Sequence, residues 1–412
     1  MAKIVPFKAV RPTRDKVGLV AARSYQSYSM EQREARLRDN PFSFLHIVNP
    51  GYKYDKTLIG EERYELVKNR YLEFKEENIF IQDTTSCFYI YKITDRDQQE
   101  FNGIIAAASA KDYEDNILKK HEETLEYREV IFKDYLKTVG FNAEPVLLTY
   151  PDNTVIAKII AKVQKERPEY EFTTTYRDTH CLWKVNHPHL INPIAAEFEK
   201  MATLYIADGH HRCASSYLLY KELKAESKSY TGKESFNHFM VYAIPESDLK
   251  IHEYNRMVKG LNGLSKEAFL IALDASFRIE NRGKFPYKPS KKHHFSMYLD
   301  GEYYSLYLRK TLYNLESSLD NLDTQVLHKT ILEPILGITD ARNDKRIVYV
   351  NGKNDVIDIK NSIDSGEFTV SFELLPITMQ EIKNIADDGF KMPPKSTYIE
   401  PKLRSGITIY EF

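Results

Sequence analysis

The residues best suited to chemistry lie together at one break in the chain. Thr203-Leu204-Tyr205-Ile206-Ala207 is an apolar run of strand length, and Asp208-Gly209-His210-His211-Arg212 follows it directly. A helical pattern resumes at once, with Ala214, Tyr217 and Leu218 set to face inward. A strand, a glycine turn and a helix amino terminus make an anion-binding geometry. The first-turn N–H groups lack intrahelical acceptors, and the positive end of the helix dipole points the same way. Gly209 lets the backbone approach closely and adopt positive φ. Arg212 suits a two-bond grip on phosphate oxygens, and His210 and His211 suit donation to phosphate or proton relay near neutral pH. Asp208 can orient a histidine, hold magnesium or accept a proton. The plainer reading makes Asp208 a helix cap with two ordinary histidines behind it, since adjacent histidines do not share a helix face.

Other groups compete for the same chemistry. Lys119-Lys120-His121-Glu122 follows a stretch of helical character from Asp112. A carboxylate beside a histidine suits a general base toward a hydroxyl, with lysines neutralising phosphate charge; a solvated charged helix face explains the same residues. Thr378-Met379-Gln380-Glu381 is a capping box opening a helix that stops at Gly389. Beyond it, the prolines of Lys391-Met392-Pro393-Pro394-Lys395-Ser396-Thr397 fix φ and predict a stiff, extended segment. Lys395, Ser396, Lys402, Arg404 and Ser405 are thus anion-compatible groups on a rigid loop, or equally parts of a braced tail. Tyr254-Asn255-Arg256 is expected near the same cleft, with pairing of Arg256 to a carboxylate as the alternative. His328 reads as a core histidine on an amphipathic helix, and His293-His294 as a solvated loop or strand start. No His, Cys, Asp or Glu set has the spacing of a fixed transition-metal site. Magnesium carried in by a nucleotide needs only one or two carboxylates.

These residues must be positioned by a chain of 412 residues, long enough for two domains. Alternating short strands and helices predict an α/β (α+β) architecture. A helix is expected over 61–78, with Tyr64, Val67, Tyr71 and Phe74 on one stripe. Strands at 87–93 and 101–108 should form a hairpin, and others are expected at 144–150, 203–207 and 238–244. The later half is predicted to hold a loop at 283–292, a helix at 323–332 and strands at 346–350 and 368–375. The expected division is 1–250 and 251–412, the first part carrying the Asp208 site and the second the Pro-Pro-Lys-Ser loop. Lysine plus arginine (58) nearly balances aspartate plus glutamate (59), which argues against a dedicated nucleic-acid face. Three scattered cysteines, Cys87, Cys181 and Cys213, support neither a disulfide framework nor a zinc knuckle. No membrane span or secretory leader is legible, so a cytoplasmic, reduced setting is expected.

The Asp-Gly-His-His-Arg motif after an apolar strand resembles the ParB/sulfiredoxin-type fold, specifically its free serine kinase branch. The chain as a whole resembles a bacterial family, domain of unknown function 1015. That resemblance runs from Pro6-Phe7-Lys8 through Leu45-His46-Ile47, Lys119 to Glu122, Glu144-Pro145-Val146, Ala207 to Arg212 and Tyr254-Asn255-Arg256. It continues to Leu332 through Ile338 and to Met392 through Lys402. It implies a ParB/sulfiredoxin-like core in a larger mixed-sheet protein, with a second α/β domain. It implies a nucleotide-dependent kinase of a small hydroxyl-bearing metabolite, using ATP or ADP with magnesium, and it admits a homodimer. Glu122, Asp208 and His211 would be catalytic. Gly209, His210, His211, Arg212, Lys120, His121, Lys395, Ser396, Lys402 and Arg404 would bind phosphate or nucleotide, with Asn255 and Arg256 nearby. The chain also departs from its relatives. Ser24-Tyr25-Gln26-Ser27 stands where relatives have Pro-Tyr-Asp-Val, and Leu125, Ile131 and Phe132 stand near positions of an Arg-Pro pair and a Lys-Glu-x-Asp-Arg run. Gln26 cannot neutralise a cation or take a proton. These changes leave a second expectation, a non-catalytic nucleotide- or anion-binding regulatory protein.

Overall fold

The computed structural model of the protein describes residues 1–353 and 356–412. It divides into two compact units, Met1–Lys119 with Thr124–Leu249 and Pro401–Phe412, and Lys120–Glu123 with Lys250–Glu400. The expected division assigned all of 251–412 to one domain; residues 401–412 instead pack with the first unit. No helix among the described residues is long and apolar enough to cross a membrane.

The first unit is built on a mixed sheet of nine strands: β1 (Ile4–Val5), β2 (Phe88–Thr94), β3 (Glu100–Ser109), β4 (Leu118–Lys119), β5 (Val146–Tyr150), β6 (Tyr170–Thr173), β7 (Thr179–Val185), β8 (Leu204–Asp208) and β9 (His238–Pro245). Their order is β4-β8-β5-β9-β3-β2-β7-β6, with β1 beside β3. The predicted hairpin is present, β2 pairing antiparallel with β3. β3, β5, β8 and β9 are buried almost throughout because both faces are covered, which is why they read as apolar runs without alternation. Helix α1 (Gly60–Glu76) buries Val67, Tyr71 and Phe74, three of the four stripe residues. They pack with Val10, Phe80, Phe141 and Ile409 in a second cluster of the same unit.

The second unit has a six-stranded sheet of β10 (Tyr254–Val258), β11 (Phe277–Gly283), β12 (His294–Leu299), β13 (Glu302–Leu308), β14 (Ile347–Asn351) and β15 (Val370–Glu373), ordered β11-β13-β12-β15-β10-β14. Every pairing is antiparallel. The predicted 323–332 helix is one α-turn, Asp323–Leu327, followed by a π-turn, His328–Leu332, in which Glu333 N–H reaches the His328 carbonyl at 2.9 Å. The capping box at Thr378 is present: its hydroxyl accepts from Glu381 N–H while the Glu381 carboxylate accepts from Thr378 N–H. His294 opens β12, the strand start that the sequence allows. His293 just before it is 4% exposed rather than solvated, with its Nε2 against the Asn321 side chain at 3.0 Å and its backbone N–H donating to Asp323.

Candidate functional site

Three local features of the first unit aim the Asp208 junction. β8 is flanked by β5, antiparallel, and β4, parallel. The β8–β5 register shifts between Ile206 and Asp208, a bulge that re-aims the end of the strand. The antiparallel pairing also brings the head of β5, and with it Glu144 and Pro145, beside the tail of β8. Gly209 then adopts φ +94° and helix α2 (His210–Glu226) begins.

Asp208 is not the helix cap. The cap position belongs to Gly209, which has no side chain to cap with. The Asp208 carboxylate instead lies 3.0 Å from Arg212 Nη2 and accepts from Lys402 Nζ at 2.9 Å. Arg212 Nη1 lies 3.0 Å from Glu144 Oε1 and also donates to the Pro145 carbonyl. The two-bond grip that the sequence assigns to phosphate is therefore occupied by the protein's own carboxylates. Ser405 Oγ donates to the other Glu144 oxygen at 3.3 Å, so Lys402, Asp208, Arg212, Glu144 and Ser405 form one chain of contacts with two charges of each sign.

His210 is the first helical residue and is 4% exposed. His211 Nε2 accepts the Leu125 N–H at 3.2 Å, which assigns the proton of a neutral ring to Nδ1. Arg404 is buried, with Nη2 2.8 Å from Asp178 Oδ2 and 3.3 Å from Thr174 Oγ1. Arg23 lies 3.9 Å from the same Asp178 oxygen and 3.3 Å over the Tyr176 ring. Burial, and then Arg404, push the Arg23 guanidinium below its usual range. Glu144, Asp178, Arg23 and Tyr176 were not singled out from sequence as site residues. The side chain of Gln26 lies outside the described residues. Ile131 and Phe132 are exposed on the helix Glu126–Val139.

The remaining candidates belong to the second unit. There the Lys120 carbonyl accepts from Lys391 Nζ and the His121 carbonyl from Met392 N–H, and His121 is fully buried. Glu122 is partly buried beside it. Ser396 Oγ is 2.7 Å from the Pro393 carbonyl and 3.2 Å from Thr324 Oγ1, bonds that brace the double-proline loop. Lys395 takes φ +52° there. Asn255 Oδ1 accepts from Leu374 N–H. Arg256 lies on β10, 2% exposed, and has no carboxylate partner among the described residues. It donates to the Tyr254 and Lys395 carbonyls and sits over the Tyr349 ring. Burial pushes its pKa down to about 10 against the opposing pull of Tyr349.

The fold and this junction define a mixed-sheet α/β protein with an ion-paired strand–glycine–helix turn. The chain belongs to the family described as a protein of unknown function (DUF1015), whose profile matches residues 4–325; this is the family that the spread of motifs predicts. No curated protein matches. Among solved structures, 74% of the chain aligns with 92% of a mutant free serine kinase in complex with AMP, at 13% identity and a TM-score of 0.36. The same share aligns with 85% of SbnI with C-terminal truncation, from Staphylococcus aureus, at 12% identity and TM-score 0.38. It also aligns with 94% of a conserved hypothetical protein from Pyrococcus furiosus, at 15% identity and TM-score 0.34. At this identity and overlap the likenesses carry nothing about ligands.

Proposed function

We propose that the chain is a nucleotide-dependent kinase of a small hydroxyl-bearing metabolite such as free serine, with a nucleotide phosphate held at the amino terminus of α2. One observation carries this reading: a 17-residue helix starts at a positive-φ glycine, so its N-cap residue has no side chain of its own to offer the first-turn amides. The first-turn amides and the helix dipole then favour an anion there. Lys402 adds a positive charge, and Asp208 and Glu144 are oxygen ligands of the kind magnesium takes. When bound, magnesium neutralises phosphate charge. The chain's own work is positioning: the amides and Lys402 hold the phosphate, and Arg212 fixes both carboxylates.

In the transfer, the acceptor hydroxyl oxygen bonds to the terminal phosphorus of ATP or ADP. The bridging P–O bond breaks, the shortened nucleotide leaves, and the hydroxyl proton passes to Asp208, with His211 as relay. Purified protein incubated with magnesium, ATP or ADP and free serine is expected to form phosphoserine, reduced at least tenfold in Lys402→Ala. Absence of turnover above the Asp208→Asn background rules the kinase out.

The second reading, a regulatory protein that binds nucleotide or another anion without turnover, is favoured by the occupied Arg212 guanidinium. Calorimetry with ATP and ADP separates the two, since tight binding without product belongs to the regulator alone.

A further inference from the structure

The second unit contains a cavity of about 450 Å³, within the range of small-molecule sites. Its wall is the end of the β10–β15 pair. Arg256 pairs with Phe372, so continuing the antiparallel register sets Asn255 across from Glu373, and Glu253 two residues further along the same face. Glu253 and Glu373 both line the cavity. The Glu253 carboxylate lies so close to Gly352 that a Cβ there would come within 2.4 Å of its carboxyl carbon. Neither carboxylate makes a hydrogen bond or ion pair among the described residues. Lys284 and Lys288, on the loop after β11, line the same cavity and likewise make no ion pair among the described residues. Tyr287 and Tyr303 complete the lining with aromatic surface.

Two unmatched carboxylates and two unmatched ammonium groups thus share one cavity without pairing with each other. The two carboxylates are partly buried, and such charges without partners are costly to the fold, while both lysines are exposed at the rim. A ligand carrying both signs would satisfy all four, with its apolar body against the tyrosine rings. We propose that this cavity binds a small zwitterionic metabolite, its ammonium group held by Glu373 and Glu253 and its carboxylate or phosphate held by Lys284 and Lys288.

The site has a pH signature of its own. Burial first, and Glu253 second, push the Glu373 pKa up to about 7, with Lys288 opposing. The titratable groups that line the cavity with Glu373 are Glu253 ahead of β10, Lys284, Lys288 and the neutral Tyr287 on the loop, the neutral Tyr303 on β13, and Lys360 on the helix Val356–Asp364. An ammonium ligand needs the ionised carboxylate. Its affinity therefore levels off above about pH 7 and falls roughly tenfold per unit below it.

The test is calorimetry on the full chain at pH 6 and pH 8. The probes are γ-aminobutyrate, δ-aminovalerate, ε-aminocaproate and phosphoethanolamine, with butylamine and butyrate as single-charge controls. At least one zwitterion is expected to bind about tenfold more tightly than either control at pH 8, and more weakly at pH 6. Glu373→Gln should weaken it about tenfold and remove the pH dependence. The Lys284→Ala/Lys288→Ala pair, on an exposed loop, should weaken it similarly and serves alone if the glutamine variant does not fold. Zwitterions no tighter than the controls, or affinity unchanged in the lysine pair, overturns the proposal.

Discussion

Gly209 and Arg212 depend on each other. The glycine holds φ +94°, and a Cβ placed on it would lie 2.9 Å from Arg212 Nη2 and 3.0 Å from Cζ. Gly209→Ala is therefore strained in the backbone and also pushes the guanidinium off Asp208 and Glu144. The expected loss is about 1–3 kcal/mol, read from the urea midpoint. Asp208→Asn separates metal-assisted from simple anion binding. Without magnesium it should tighten nucleotide binding several-fold, by removing a negative charge beside the helix end. With magnesium it should weaken binding, by removing an oxygen ligand, and calorimetry in the two buffers reads both signs. A third test concerns Asp323, whose carboxyl is pushed up to about 7 by burial, against the pull of the His293 N–H and Lys292. A carboxyl with a raised folded pKa stabilises fully below its unfolded value and loses that contribution as pH rises through the folded one. The wild type should therefore lose up to about 4 kcal/mol between pH 4 and pH 7 relative to Asp323→Asn, measured as paired unfolding curves. The Asp208–Arg212 cluster was legible in the sequence because strand, glycine and helix signals coincide there. Its partner Glu144 was not, because a carboxylate at the head of a strand carries no mark until antiparallel pairing sets it beside Asp208.

At the scale of elements, legibility followed pattern. The α1 stripe repeats at helical spacing, and the β2–β3 hairpin has a turn between two β-rich runs, so both could be read locally. β13 could not. In Glu302–Leu308 tyrosine or leucine occupies both faces, five of its seven residues are buried, and no two-residue alternation survives. The 323–332 segment has helical periodicity, but a π-turn follows the first turn, a change that periodicity cannot signal. The Thr378 capping box, by contrast, is local chemistry and is present as the sequence predicts. Thr378→Ala removes the hydroxyl that accepts from Glu381 N–H and should cost about 1 kcal/mol, as a shift in the thermal midpoint with little change in helix content.

At the scale of the molecule, the unit boundaries were legible only near residue 250. What the sequence hides is the return of Pro401–Phe412 to the first unit. There Val10 and Ile409 exchange backbone hydrogen bonds, and Tyr410–Glu411 pairs with Phe141–Asn142. Glu411 accepts from Tyr71 and Lys75, both at 2.7 Å. Ile409 and Tyr410 are buried, at roughly 1.5–3 kcal/mol each. A chain ended at Glu400 should therefore lose several kcal/mol from the first unit, visible as a lower thermal midpoint and faster proteolysis within 1–249. During synthesis, the partners of Val10 and Phe141 leave the ribosome only after every residue from 250 to 400 has been made. The nascent first unit spends that interval with an open hydrophobic seam, and the seam is where chaperone engagement or early aggregation should be sought.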